Sequence, residues 1–302
     1  MKQQLLPCRS SVLPMRLWSL TVTDILFVTD LDGTFLQPDV TVSERTRNIL
    51  IPLLEQGLPL TAATARTSFS VMPIIKGLPL KLPLILQNGA VLHDPVHDRI
   101  ISAHPIPQKA FREICTVYAD AGMNGFVFCV PADKLECCYT ALTTPHMQRY
   151  YQERRVKYDK PFRQVGSLIG LAENNPVYMS LNAPKAVLDP VCETVRQIGG
   201  ISVAYYRDVY EPDIWYLEVS AEDASKYHGV MELKQMTGAK TVVGFGDNHN
   251  DLPLFAACDV KIAVENAADA IKDLADIIIG RNTEDAVAEY LRSVFPAKEG
   301  TV

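Results

Sequence analysis

Two carboxylates separated by a single residue, Asp30 and Asp32, follow directly on the apolar run Ile25, Leu26, Phe27, Val28 and Thr29. Such a run has the pattern of a buried strand, and it puts both acids at the C-terminal end of that strand. Neighbouring carboxylates repel each other and lose solvation, so a chain that keeps them there has a cation to place between them or a task for them. A divalent metal and a phosphoryl group both meet that demand. In this reading Asp30 attacks phosphorus as a nucleophile, Asp32 protonates the leaving oxygen and later activates water, and Gly33 lets the chain turn away. Capping of the following turn accounts for one acid but not for both.

Three further motifs fall at strand or helix ends in the same order along the chain, and order and context give each a specificity that none has alone. Thr64 closes a strand predicted over 58–64, with a hydroxyl able to bind a phosphate oxygen; Arg66 adds positive charge beside it. Lys226 follows Ser225 near the start of a predicted helix, where a cation is poorly placed unless an anion is also present. It would neutralise a phosphoryl group and hold Asp30 ionised. The last motif, Gly244, Phe245, Gly246, Asp247, Asn248, His249, Asn250 and Asp251, follows the apolar stretch 241–243. Asp247 and Asp251 offer hard oxygen ligands suited to Mg²⁺, Asn250 offers a donor to phosphate, and His249 reads as a loop residue. Open parallel sheets bind ligands outside the C-terminal ends of their strands, where all four motifs would lie.

The elements that must position these residues alternate. Ser43 caps a predicted helix with Ile49, Leu50, Leu53 and Leu54 at helical spacing, ending near Gly57. A second helix is predicted over 68–76, and a short strand over 83–87 ends at the turn signal Asn88, Gly89. The pattern returns late, with helices over 224–236, 251–256 and 284–294 and strands over 241–245, 260–264 and 276–279. This predicts an α/β fold: a Rossmann-like parallel sheet with helices on both faces. Residues 25–90 and 218–302 would form that core. Residues 91–217 are less regular and read as an inserted α+β domain, with helices over 109–121 and 185–198 and strands over 125–130, 177–182, 201–205 and 214–219. Its Tyr150, Tyr151 and Tyr158 read as a solvated face before a substrate wall.

At 302 residues and 48% hydrophobic, the chain is long enough for two domains. Its net charge of −6 and the lack of a Lys/Arg-dense stretch argue against a nucleic-acid partner. No apolar run approaches membrane-spanning length, so no membrane partner is expected. Seven scattered cysteines without zinc spacing read as packed thiols in a reducing cytosol. Residues 1–24 read as a loose N-terminal extension, with Met15 an alternative start. Oligomeric state is not written in the sequence.

Taken together, Asp30–Leu31–Asp32–Gly33–Thr34, Thr64–Ala65–Arg66, Asn88–Gly89–Ala90, Ser225–Lys226 and the 246–251 loop resemble the haloacid dehalogenase superfamily, in particular its Cof-like subgroup with a large C2-type (IIB) cap. The match runs from about residue 25 to 294. The resemblance implies a cytoplasmic Mg²⁺-dependent phosphatase of a small phosphorylated metabolite, such as a sugar phosphate. Asp30 would become an aspartyl-phosphate and Asp32 would be general acid/base. Thr64, Lys226 and Asn250 would bind the phosphoryl group, and Asn88 and Arg66 would face substrate. Mg²⁺ would be held by the Asp30 carboxylate, the Asp32 carbonyl and Asp247, with Asp251 supporting loop or metal. Ala65 and Tyr227 stand where the family favours Gly, which bears on local backbone path and cap contacts. A phosphomutase of the same superfamily and a non-catalytic metabolite-binding protein are the alternatives.

Overall fold

A computed structural model of the chain describes residues 24–208 and 211–295. Apart from Asp24, the expected N-terminal extension and the alternative start at Met15 lie outside the described residues. The chain divides into two compact units, one formed by the chain up to Leu60 and from Lys234 onward, the other by Thr61–Leu233.

The first unit is built on a parallel sheet in the order Ile277–Ile279, Val260–Val264, Thr241–Gly246, Ile25–Thr29, with Leu60–Ala62 at its edge. All five residues of Ile25–Thr29 are buried, as a strand covered on both faces requires. In the sheet register Thr29 stands opposite Phe245, and Gly246 opposite Ala263. That register brings the ends of the two acidic motifs side by side. The helix Glu44–Glu55 starts at Ser43, whose hydroxyl accepts from the Thr46 N–H at 2.9 Å, and it buries Leu50, Leu53 and Leu54. The helix Ala286–Val294 packs beside it and buries Val287, Tyr290 and Leu291.

In the second unit, Leu84–Leu86 joins Ala63 by a parallel bridge, as expected of a core strand, but its other edge pairs antiparallel with Val91–Asp94, which pairs with Arg99–Ala103. This hairpin was not predicted. Asp94, His97 and Asp98 break its alternation, and the register slips between Leu92 and His93.

The rest of the unit is a six-stranded sheet in the order Ile201–Arg207, Ile214–Ala221, Pro176–Pro184, Phe126–Cys129, Glu136–Tyr139, Phe162–Gln164. All its pairings are antiparallel except the last. One face places Val127, Met179, Leu181, Leu217 and Val219 against Phe111, Ile114 and Tyr118 of helix Gln108–Asp120 and Leu188, Val191 and Val195 of helix Lys185–Val195. The other face carries rings. Phe126, Tyr139 and Phe162 pack with Tyr150 and Tyr151 of helix Pro145–Tyr158 at centroid distances of 4.8–6.4 Å. The tyrosines expected to form a solvated face are therefore half-buried. Their helix escaped sequence reading because its apolar residues follow no stripe. It is set instead by Thr144, which accepts from the Met147 N–H, by Pro145 in the first turn, and by Arg155 and Lys157 in the last.

Candidate active site

Asp30 is the first residue beyond its strand, and its N–H still donates to the Phe245 carbonyl at 2.9 Å. It is 3% exposed. One carboxylate oxygen from each of Asp30, Asp247 and Asp251 lies within 4.8 Å of the others. Three partly or fully buried carboxylates this close carry a large desolvation and repulsion cost unless a cation joins them. The donors are all hard oxygens, the set Mg²⁺ prefers, so the cluster fits such an ion.

The loop after Thr241–Gly246 explains why two of these acids are held. Asp251 is fully buried; its Oδ2 accepts from the N–H groups of Asp247 (2.9 Å) and Asn248 (3.1 Å), closing a capping box on the 3₁₀ turn His249–Asp251. Asp251 thus braces the loop that presents Asp247. Asp247 in turn accepts at Oδ1 from the Thr34 hydroxyl at 2.9 Å, and its carbonyl accepts from the Ala268 N–H. Gly33 is required twice here. Its φ is +78°, and a Cβ at this position would lie 2.4 Å from Asp247 Oδ2. Asp32 and Asn250 are exposed, as is His249, whose N–H and ring lie on the Asn248 side chain.

The second unit gathers the other candidates around one loop. Gln87, Asn88 and Gly89 all have positive φ, at +50°, +55° and +99°. Asn88 donates its N–H to the Thr64 carbonyl at 2.9 Å and Gln87 to the Arg66 carbonyl at 3.0 Å. A Cβ on Gly89 would lie 2.0 Å from the Ser225 carbonyl oxygen. Thr64, Arg66, Asn88 and the Ser225–Lys226 step are thereby locked together. Thr64 is 1% exposed and its Oγ1 accepts from the Arg66 N–H at 3.2 Å, a turn cap that leaves the hydroxyl proton to donate elsewhere. Lys226 opens helix Lys226–Thr237 and is 1% exposed, rare for an ammonium and costly without an anion. Arg66 also acts on Tyr158: burial pushes that phenol up, yet Lys157, Arg154 and Arg66 bring it below its ordinary range.

Sequence reasoning missed Thr34 as an Asp247 partner, although it lies inside the first motif, and Asn266, whose side-chain N–H donates to the Gly33 carbonyl at 2.7 Å. Asn266 carries no local signal; only the fold brings it within reach.

A parallel sheet with acids clustered at its C-terminal strand ends is an α/β protein with its ligand site where open sheets of this kind place one, and extra sheet structure accompanies it. The chain belongs to the family of haloacid dehalogenase-like hydrolases, whose model matches residues 27–291. It is a phosphoric monoester hydrolase of that family. It is 27% identical over 279 residues to the pyridoxal phosphate phosphatase YbhA of Escherichia coli (strain K12), covering 90% of this chain and 99% of that protein. It is 24% identical to the 5-amino-6-(5-phospho-D-ribitylamino)uracil phosphatase YitU of Bacillus subtilis (strain 168), covering 89% and 97%. Its fold matches a haloacid dehalogenase-like hydrolase from Bacteroides thetaiotaomicron with TM-score 0.72 at 22% identity, over 89% of this chain and 99% of that one. A subclass IIB sugar phosphatase shares the fold with TM-score 0.64 at 17% identity, over 89% and 98%.

Proposed function

We propose that the chain is a Mg²⁺-dependent phosphatase acting on a phosphate monoester of a small metabolite, through an aspartyl-phosphate on Asp30. The observation that carries this reading is the convergence of Asp30, Asp247 and Asp251 at adjacent strand ends, with their oxygens within 4.8 Å. Asp30 Oδ attacks phosphorus; the bond to the substrate's ester oxygen breaks, and that oxygen leaves with a proton from Asp32. Water then attacks the same phosphorus, giving its proton to Asp32, and phosphate departs while the Asp30 carboxylate is restored. Thr64, Lys226 and Asn250 bind the phosphoryl oxygens, and Asn88 and Arg66 face the substrate. The Asp30 carboxylate, Asp32 carbonyl and Asp247 would hold the metal, while Asp251 keeps the loop in place. When bound, the metal offsets charge on the phosphoryl oxygens.

Residues 91–217 act as the cap that selects the substrate. The relatives named as phosphatases of pyridoxal phosphate and of a ribitylaminouracil phosphate support a small phosphorylated metabolite, with a sugar phosphate another member of that class. The six described cysteines are all buried and unpaired, in keeping with a reducing cytosol.

The test is phosphate release across phosphorylated sugars, nucleotides and cofactors, with and without Mg²⁺. Metal-dependent release from at least one, abolished by Asp30→Asn, is the expected result; no release from any would overturn the reading. Conversion of a hexose 1-phosphate to its 6-phosphate without free phosphate would replace hydrolase by mutase.

A further inference from the structure

The edges of the described sheets are guarded unequally. Phe162–Gln164 and Ile277–Ile279 are three residues long, and the first carries Arg163 behind Pro161. Arg99–Ala103 begins on a charge and lies beside the register slip at Leu92/His93. Short length, charge and irregularity are the devices by which an exposed strand avoids pairing with another chain. Ile201–Arg207 lacks all three but for Arg207 at its end. It runs seven residues, ends the six-stranded sheet, and pairs with Ile214–Ala221 without a break in register. The Arg207 Nε–H donates to the Pro212 carbonyl at 2.6 Å, which ties that guanidinium to its own hairpin.

The register shows which backbone groups of this strand are unused. The Asp208 N–H donates to the Ile214 carbonyl at 2.9 Å and the Glu222 N–H to the Gly200 carbonyl at 3.2 Å. Hydrogen-bonded pairs recur every second residue in an antiparallel ladder, so Ser202, Ala204 and Tyr206 direct their backbone groups to the neighbouring strand. The N–H and C=O groups of Ile201, Val203, Tyr205 and Arg207 therefore point outward, and no hydrogen bond takes them up among the described residues. The strand is also held in place by its side chains. Tyr205 packs on Trp215 at 4.9 Å between centroids and donates its hydroxyl to Asp189 at 2.7 Å, and Tyr206 stacks on Tyr216 at 5.6 Å. Little ordering remains to be done when another strand binds.

A strand of this kind is its own complement. Turned about a two-fold axis through Ala204, a second copy pairs antiparallel along all seven residues, with Val203 opposite Tyr205 of the second copy and Ile201 opposite its Arg207. These are the residues whose backbone groups point outward, so each such pair closes its hydrogen bonds. An axis through Val203 or Tyr205 leaves an end unpaired, and an axis between residues sets outward groups against inward ones. In the Ala204 register the two Arg207 lie at opposite ends and no like charges meet. Val203 with Tyr205 is a β-branched and aromatic pair of the kind that stabilises sheets.

We propose that the protein self-associates as a two-fold dimer through Ile201–Arg207, joining two six-stranded sheets into one. The pairing is independent of the phosphatase assignment, and its test reads assembly alone.

The full-length protein is sedimented over a range of concentrations. One strand per copy is a small interface, so a dimer with a dissociation constant of about 10 µM is expected. Val203→Pro removes an outward N–H and none used within the chain, and Ala204→Lys sets two ammonium groups face to face on the axis. Each should weaken the dimer at least about tenfold while the circular dichroism stays that of the parent. Ala204→Cys reads the register, because the two Cα atoms on the axis form a non-hydrogen-bonded pair about 4.5 Å apart, within disulfide reach. Copper-catalysed air oxidation should yield a covalent dimer from Ala204→Cys. It should yield none from Ser202→Cys, whose opposite residue is Tyr206, nor from the parent, whose six described cysteines are buried. A parent that stays monomeric at about 200 µM would overturn the proposal. So would a dimer that survives both Val203→Pro and Ala204→Lys, or an Ala204→Cys protein that cross-links no more than Ser202→Cys.

Discussion

The two sheets of this protein solve opposite problems. The parallel sheet buries both faces of Ile25–Thr29 and leaves its chemistry to strand ends, where Asp30 and Asp247 meet because Thr29 and Phe245 are in register. The six-stranded sheet uses its two faces differently. One is the apolar core under two helices, and the other holds rings, Glu218 and Lys160, whose ammonium lies 4.3 Å from the Phe128 ring centroid and donates to the Tyr150 hydroxyl at 3.1 Å. In the first sheet polarity is concentrated at a point, with three carboxylate oxygens within 4.8 Å; in the second it is spread over a face and tuned by burial. A parallel sheet thus gathers polar groups at its strand ends, whereas a two-faced antiparallel sheet spreads them over one face.

The largest expected break of this comparison is Asp30→Asn. Turnover of an aryl phosphate in Mg²⁺ should fall by roughly three orders of magnitude, about 4 kcal/mol of barrier. Activity that persists would deny that the strand-end acids are held together for chemistry.

Next comes Gly33→Ala. Both its φ of +78° and the approach of Asp247 oppose a side chain, so a loss of roughly 2 kcal/mol is expected in denaturant unfolding. Gly122, which follows helix Gln108–Asp120 in the other unit with φ of +64° and open space around a built Cβ, is the matched control. Gly122→Ala should cost only the backbone share, about 1 kcal/mol. Equal losses at the two positions would show that the Asp247 contact contributes nothing.

The smallest effect is of opposite sign. Burial raises the Glu218 carboxyl above its ordinary 4.5, in spite of the hydroxyls of Tyr178 and Tyr206. A raised carboxyl pKa means that ionisation costs the folded state: the cost is absent below 4.5 and grows as pH rises through the folded value. Glu218→Gln should therefore raise the melting temperature at about pH 7.5 and leave it unchanged at about pH 4. A variant less stable at the higher pH would show that the charge on this face is held favourably.

Much of the core was legible before folding. The strand 260–264 is observed at its predicted bounds, and the predicted helix 68–76 is observed as Ser68–Ile75. Such elements carry their own period and their own stop signals. The hairpin from Val91 to Ala103 and the helix Pro145–Tyr158 were not legible, for the hairpin's alternation is broken by polar residues and the helix has no apolar stripe. Among the site residues, the acids announced themselves by position after an apolar run. Thr34 and Asn266 did not, because a hydroxyl and an amide become informative only when a partner more than two hundred residues away in sequence is beside them.

The sequence by itself determined the family, the alternation that builds a parallel sheet, and the acids at its strand ends, since each follows from residue type and short-range spacing. Tertiary structure alone decided which oxygens converge, that Asp251 braces the loop presenting Asp247, and that Tyr150, Tyr151 and Tyr158 are half-buried. Register, burial and closure of distant segments set these, and none of them is a local property of the chain.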